Sequence, residues 1–206
     1  GQDSGKALTT GTSNVFVGYQ AGDAANCSHN VMIGLESLGA AATGSSNVGV
    51  GNGSFASNTS GTFNVSVGHD SFAANTTGGN NTVAGYQALS ANTTAESNTA
   101  VGRDALALNT TGANNTAVGA NSLDANTTGA SNNAFGQGAL GANTTANQNN
   151  AFGKLALGST TTGADNSAFG QNALGSNTTG GGNTAVGSDA LDGVTTADGN
   201  TAVGVN

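Results

Sequence analysis

One pattern governs the chain: an Asn that opens a short apolar stretch closed by a Gly returns at fixed spacing along nearly its whole length. The anchors are Asn14, Asn30, Asn47, Asn64, Asn81, Asn98, Asn115, Asn132, Asn149, Asn166, Asn183 and Asn200, and every step is 17 residues except the first, which is 16. With the Asn as slot one, the later copies read N-T-A-V-G-x-x-A-L-x-x-N-T-T-G-x-x, as in Asn115 to Ser131. There are eleven complete copies and a twelfth that runs to Asn206. Such a period means one supersecondary unit per copy, stacked on its neighbours because no copy can bury an apolar face alone.

The slots indicate what each unit is. Slot five is Gly in every copy, from Gly18 and Gly34 through Gly51, Gly68, Gly85, Gly102, Gly119, Gly136, Gly153, Gly170, Gly187 and Gly204. A Gly held at one phase implies a turn with positive φ, or a backbone approach with no room for a Cβ. Slot four is apolar throughout, including Val50, Val67, Val101, Val118, Phe135, Phe152, Phe169 and Val186. Slot nine is mostly Leu or Phe, with Leu89, Leu106, Leu123, Leu140, Leu157, Leu174 and Leu191 in the later copies. These two columns are the expected core, carried on two short strands per coil, each followed by a turn. A helical reading fails because large apolar residues do not recur at three and four, and Gly, Asn and Thr are poor helix formers. The expected fold is therefore all-β, a parallel β-solenoid (β-roll or β-helix) with one 17-residue coil per repeat.

Parallel stacking places identical residues above one another, so side-chain ladders become available. The twelfth-slot Asn58, Asn75, Asn92, Asn109, Asn126, Asn143 and Asn177 are expected to form one amide column, the slot-one Asn a second, with threonine hydroxyl columns beside them. The absence of Pro fits, since nearly every N–H is needed by the adjacent coil. At about 4.8 Å per coil, eleven coils make a rod of roughly 55 Å. Slot three carries an alanine stripe, Ala100 to Ala202, in the later copies. If slots two and four point inward, this stripe points outward, either as a surface for close packing against a second sheet or chain or as a plain exposed row.

The expected organisation is an N-terminal half-coil over 1–13, an eleven-coil solenoid over 14–199 and a C-terminal half-coil over 200–206. The half-coils are complementary in phase, which is explained either by head-to-tail stacking of subunits or by an arbitrary cut. On the first explanation Ala7, Leu8, Val203 and Val205 are the assembly residues.

Composition narrows the function. Only 7% of residues are charged, 4% are aromatic, 35 are Gly, and the net charge is −8, with Lys6, Arg103 and Lys154 as the only basic residues. Phosphate binding needs a basic stripe, so no nucleic-acid partner is expected. No apolar run approaches the roughly 18 residues of a spanning helix, so no membrane insertion is expected. Cys27 stands alone, which excludes an intrachain disulfide and suggests a small buried side chain. Repeats line up like residues, whereas an active site needs unlike residues converging. His29 and His69 lie more than two coils apart with no partner at metal-ligand spacing, and His69-Asp70 suits a solvated loop. No catalytic residue, metal or cofactor is expected. The Asn-Thr-Thr triplets also fit the N-glycosylation pattern, but the ladder already demands the same Asn.

The units Thr82-Val83-Ala84-Gly85-Tyr86-Gln87-Ala88-Leu89, Thr116 to Leu123 and Thr184 to Leu191, with the linking Asn-Thr-Thr-Gly, resemble the repeats of tail-fibre-domain and adhesin-like proteins. They are similar, more loosely, to the head repeats of trimeric autotransporter adhesins, whose N-S-x-A-I-G motif forms parallel β-rolls packed as trimers with a repeat shorter than 17. The resemblance covers residues 14 to 204 and implies an extracellular or virion fibre with parallel self-association.

Three readings follow: a self-associating extracellular fibre or filament, a phage tail-fibre or adhesin shaft that presents a tip to a surface receptor or glycan, and an ice-binding protein using Thr columns such as Thr77, Thr94, Thr111, Thr128, Thr145, Thr162 and Thr179.

Overall fold

The computed structural model describes residues 1–205 and is a single parallel β-solenoid. Its strands are β1 Val15–Val17, β2 Val31–Ile33, β3 Val48–Val50, β4 Val65–Val67, β5 Thr82–Ala84, β6 Thr99–Val101, β7 Thr116–Val118, β8 Asn133–Phe135, β9 Asn150–Phe152, β10 Ser167–Phe169, β11 Thr184–Val186 and β12 Thr201–Val203. They form one sheet in chain order, all parallel, with like slots paired, as in Thr99↔Thr116, Ala100↔Ala117 and Val101↔Val118. Residues 1–13 dock on the first complete coil, where Gly5 N–H donates to Ala21 O and Ala7 N–H to Asp23 O, both at 2.9 Å.

The expectation of two strands per coil is corrected: each described coil holds one strand of three residues, at slots two to four. The remainder is turn. Slots six to eleven run as overlapping β-turns, with Ala105 N–H donating to Gly102 O, Ala107 to Asp104 O and Asn109 to Leu106 O. Slots seven and nine sit in the left-handed region, as at Asp104 (φ 57°) and Leu106 (φ 53°), and so does slot seventeen, as at Asn114 (φ 61°). Asp, Asn and Gly suit this conformation, but for Leu it costs about 1–2 kcal/mol. Full burial of the Leu side chain returns about 1.5–3 kcal/mol, which decides the balance. The turn also directs adjacent Ala105 and Leu106 both into the buried interior, whereas successive residues of a strand point to opposite faces.

The expected slot-four core is likewise corrected. Val67, Val101, Phe135, Phe152, Phe169 and Val186 are exposed on the outer sheet face, and Val50 and Val118 are half-exposed there. Slot three points inward instead: Ala100, Ala117, Ala134, Ala151, Ala168 and Ala185 are wholly buried. Only the middle residue of a three-residue strand faces the lumen, and in the later coils it is a methyl-sized Ala opposite Leu, whereas the earlier coils bury Met32 and Val83 there. Leu89, Leu106, Leu123, Leu140, Leu157 and Leu174 fill that lumen, while Leu191 packs against it half-exposed.

The two columns compensate in volume in most coils, with Met32 beside Leu38 and Val83 beside Leu89 as the exceptions. Phe16 faces Gly22, Gly49 and Ser66 accompany Phe55 and Phe72, and Ala accompanies Leu in the later coils. A Cβ added at Gly22 would meet the Phe16 ring, and one at Gly49 would meet Met32 Sδ and the Phe55 ring. Phe55 and Phe72 pack edge to face with centroids 5.3 Å apart. The lumen is thus close-packed coil by coil with different side chains.

Candidate functional site

Apart from the turn bonds within each coil, the backbone hydrogen bonds of the regular coils point up or down the rod. N–H groups of slots five, seven and seventeen donate to the preceding coil, as in Gly102→Ala84, Asp104→Tyr86 and Asn114→Glu96. Those of slots two, nine and thirteen donate to the following coil, as in Thr99→Asn115, Leu106→Ser122 and Thr110→Thr127. Each such coil therefore draws many of its hydrogen bonds from its two neighbours and the rest from its own turns.

The slot-twelve Asn residues form a fully buried column. Asn75 Nδ2 donates to Asn58 Oδ1 at 2.8 Å, Asn92 to Asn75 at 2.9 Å, Asn126 to Asn109 at 2.8 Å and Asn143 to Asn126 at 2.8 Å. Asn109 to Asn92 is longer, 3.4 Å. The column breaks at Thr160, where Asn143 Oδ1 is left buried and unpaired, and Asn177 reaches only the Thr160 hydroxyl at 3.4 Å. The slot-one Asn form the second column by another geometry: each Oδ1 accepts the backbone N–H of the next slot-one Asn, as in Asn132→Asn115 at 3.0 Å. Burial closes the slot-twelve amides, so the Asn-Thr-Thr triplets are not open to modification in the folded chain.

The slot-five glycines run as a column with φ from 132° to 148°, a region essentially closed to other residues. A Cβ at Gly119 would stand 2.6 Å from both the carbonyl carbon and oxygen of Gly136. Both reasons for Gly, positive φ and close backbone approach, hold at once.

The 16-residue first step has a local explanation. Elsewhere a slot-thirteen carbonyl accepts several N–H groups, as Thr76 O does from Thr59, Ser60 and Gly61. In the short coil Asn26 Oδ1 takes that part, accepting from Thr9, Thr10 and Gly11 at 3.2, 3.0 and 3.1 Å. A side-chain amide stands in for the acceptor of the regular coil.

Charges are confined by phase. All eleven acids lie at slots seven, ten, sixteen and seventeen, and no charged residue occupies slots two to four in any copy. His69 and Asp70 form an exposed pair at 3.1 Å, with the imidazole stacked on Tyr86. Arg103 joins Asp104 and Asn121 across one coil step. Among the described residues no three His, Cys, Asp or Glu side chains gather as a metal site, and no helix is long and apolar enough to cross a membrane. Cys27 is buried, and that burial pushes its thiol pKa up.

The slot-thirteen threonines donate to the next coil, as Thr110 Oγ1 does to Thr127 O at 3.0 Å. Their slot-fourteen neighbours, Thr77, Thr94, Thr111, Thr128, Thr145, Thr162 and Thr179, form an exposed column. Of the expected assembly residues, Ala7 and Leu8 are exposed on the first partial coil, and Val203 and Val205 are 78% and 76% exposed over the last. Val203 and Val205 line a cleft of about 430 Å³ with Leu191, Asp192 and Ala202. Asn206, the last residue of the expected C-terminal half-coil, lies outside the described residues.

Sequence reasoning missed the outer face of the sheet. Slots two and four together present an apolar and hydroxyl-bearing strip over all twelve strands, and the signal for it was the absence of charge at both slots.

These features define the class: a parallel β-solenoid repeat protein whose recurring surfaces are columns rather than a pocket. Comparison with protein families, with curated proteins and with solved structures finds no match to this chain.

Proposed function

We propose that this chain is a non-enzymatic structural protein that self-associates into an extracellular fibre or filament, with solenoids stacked head to tail. One observation carries the reading: each regular coil is completed by identical groups on the coil above and below, so a coil of a second copy presents what an end coil can accept. Among the described residues the outermost strands β1 and β12 each have a single strand neighbour, and an open strand edge is a template for another strand. The exposed Val203 and Val205 add apolar surface at one end, and Ala7 and Leu8 at the other. The resemblance to tail-fibre and adhesin repeats supports an extracellular setting and keeps a shaft, trimeric and receptor- or glycan-presenting, as the nearest variant of the same reading.

Electron microscopy of the purified chain tests it. Long uniform filaments are expected, shortened by Val203→Asp; single rods at every concentration would end the head-to-tail reading, and short three-chain rods would replace it with the shaft.

A second reading has one observation in its favour, the exposed slot-fourteen Thr column, whose coil-spaced hydroxyls and methyls suit ordered water. Ice binding predicts thermal hysteresis that Thr111→Lys with Thr128→Lys removes.

A further inference from the structure

The outer sheet face is a charge-free strip, apolar throughout in slot four, that no other element of the described chain covers. Over β1–β4 both outward columns are aliphatic, with Val17 52% and Val67 44% exposed. Over β8–β10 slot four is a Phe column whose rings stack at 4.8 and 5.1 Å with only 7° and 8° between planes. Stacking uses the ring faces on one another, so ring edges meet solvent and form a ridge instead of a flat platform for a sugar.

Twelve strands about 4.8 Å apart, bearing two columns about 7 Å apart, give a strip roughly 55 Å long and 12 Å wide, on the order of 650 Å² in projection. Slot two is Thr, Asn or Ser from β5 onward, so the apolar part is both columns over β1–β4 and slot four alone beyond, on the order of 400 Å² in projection. An apolar patch of about 300–600 Å² is the largest a typical monomer exposes and is often an interaction site. A stable interface takes about 800 Å² of accessible surface from each partner, which the whole corrugated strip approaches.

We propose that this face is the lateral interface between two copies of the chain, packed sheet against sheet about a two-fold axis. Three properties select a second copy as the occupant. Its ridges repeat at the same coil spacing, so side chains interdigitate along the full strip, as in dry paired sheets. Each chain carries a net charge of −8, and slots two to four hold no charge, so sheet-to-sheet contact is the approach that keeps the acids of both copies off the interface. The hydroxyls and amides of slot two, including Asn133 and Asn150, which already bond to each other at 2.9 Å, are self-complementary across a two-fold axis. The proposal deepens the fibre reading and rests on it: end contacts set length, and face contacts set width.

Sedimentation and electron microscopy of the full chain test it with Val101→Lys combined with Phe152→Lys, both on exposed positions of the face. Thr111→Lys combined with Thr128→Lys, on the exposed slot-fourteen column, is the control. Circular dichroism and the melting midpoint establish that each variant folds. At concentrations below filament formation, the parent chain and the control are expected at twice the 19.5 kDa chain mass, and the face variant at the single-chain mass with pairing weakened at least about a hundredfold, because two lysines would be buried without partners. In a sample that forms filaments, the face variant narrows them without shortening them. A parent chain that stays single, a three-chain mass, or a face variant that pairs or keeps full filament width overturns the proposal. Ice shaping by the single chain, lost in the face variant, would make the strip a water-ordering surface and overturn it too. Pairs without filaments sink the head-to-tail reading alone, while filaments of unchanged width sink the lateral interface alone.

Discussion

At the scale of single residues, the fold rests on positions with one acceptable occupant. Gly119→Ala adds a Cβ against the Gly136 carbonyl at a φ of 138°, so a loss of at least about 1–3 kcal/mol is expected in denaturant unfolding. Asn109→Ala cuts the amide column between Asn92 and Asn126 and leaves buried polar atoms unpaired, which costs about 1–3 kcal/mol for each. The natural break offers the reverse experiment. Thr160→Asn supplies a donor to the unpaired Asn143 Oδ1 and an acceptor to Asn177 Nδ2, and a gain of about 1 kcal/mol in the same assay is expected. A loss instead would mean that the lumen at that coil has closed around Thr.

At the scale of the element, each coil is a three-residue strand facing a left-handed turn ribbon, and the lumen between them has a fixed volume. Gly49 with Phe55 and Ala100 with Leu106 are two solutions to the same space. Gly49→Ala alone overpacks against Met32 and Phe55, with an expected cost of about 1–3 kcal/mol. Phe55→Leu alone leaves a void. The pair together recreates the Ala and Leu of later coils, so a double-mutant cycle is expected to return about 1 kcal/mol of favourable coupling. Additive losses would show that the coils do not share one volume constraint.

At the scale of the whole molecule, stability is a sum over neighbouring coils. Deleting residues 115–165 removes three complete repeats and joins slot seventeen to slot one, so the shortened chain should fold into a rod roughly 15 Å shorter. Deleting 115–122 breaks the phase, and loss of the folded circular dichroism spectrum is expected. Small-angle scattering and circular dichroism check both outcomes. A folded product from the second deletion would contradict the requirement for register.

By itself the sequence determined the repeat, the parallel in-register stacking, and the recurrence of Gly and of the slot-twelve Asn in columns, because each follows from like residues recurring at one phase. What it did not determine was which way the strand faces. Alternation sets slots two and four against slot three, but a one-residue change of facing exchanges the core for the surface, and the larger Val and Phe of slot four appeared the better core. Tertiary structure decided this through volume. The left-handed turn that buries Ala105 and Leu106 side by side fills the lumen, so the strand contributes its middle residue alone, a small Ala in the later coils. Nothing in the local preference of Leu announces φ near 50°, and only closure of the coil imposes it. The outer face, with its charge-free columns, was present in the sequence as a pattern and became a surface only once the coil had closed.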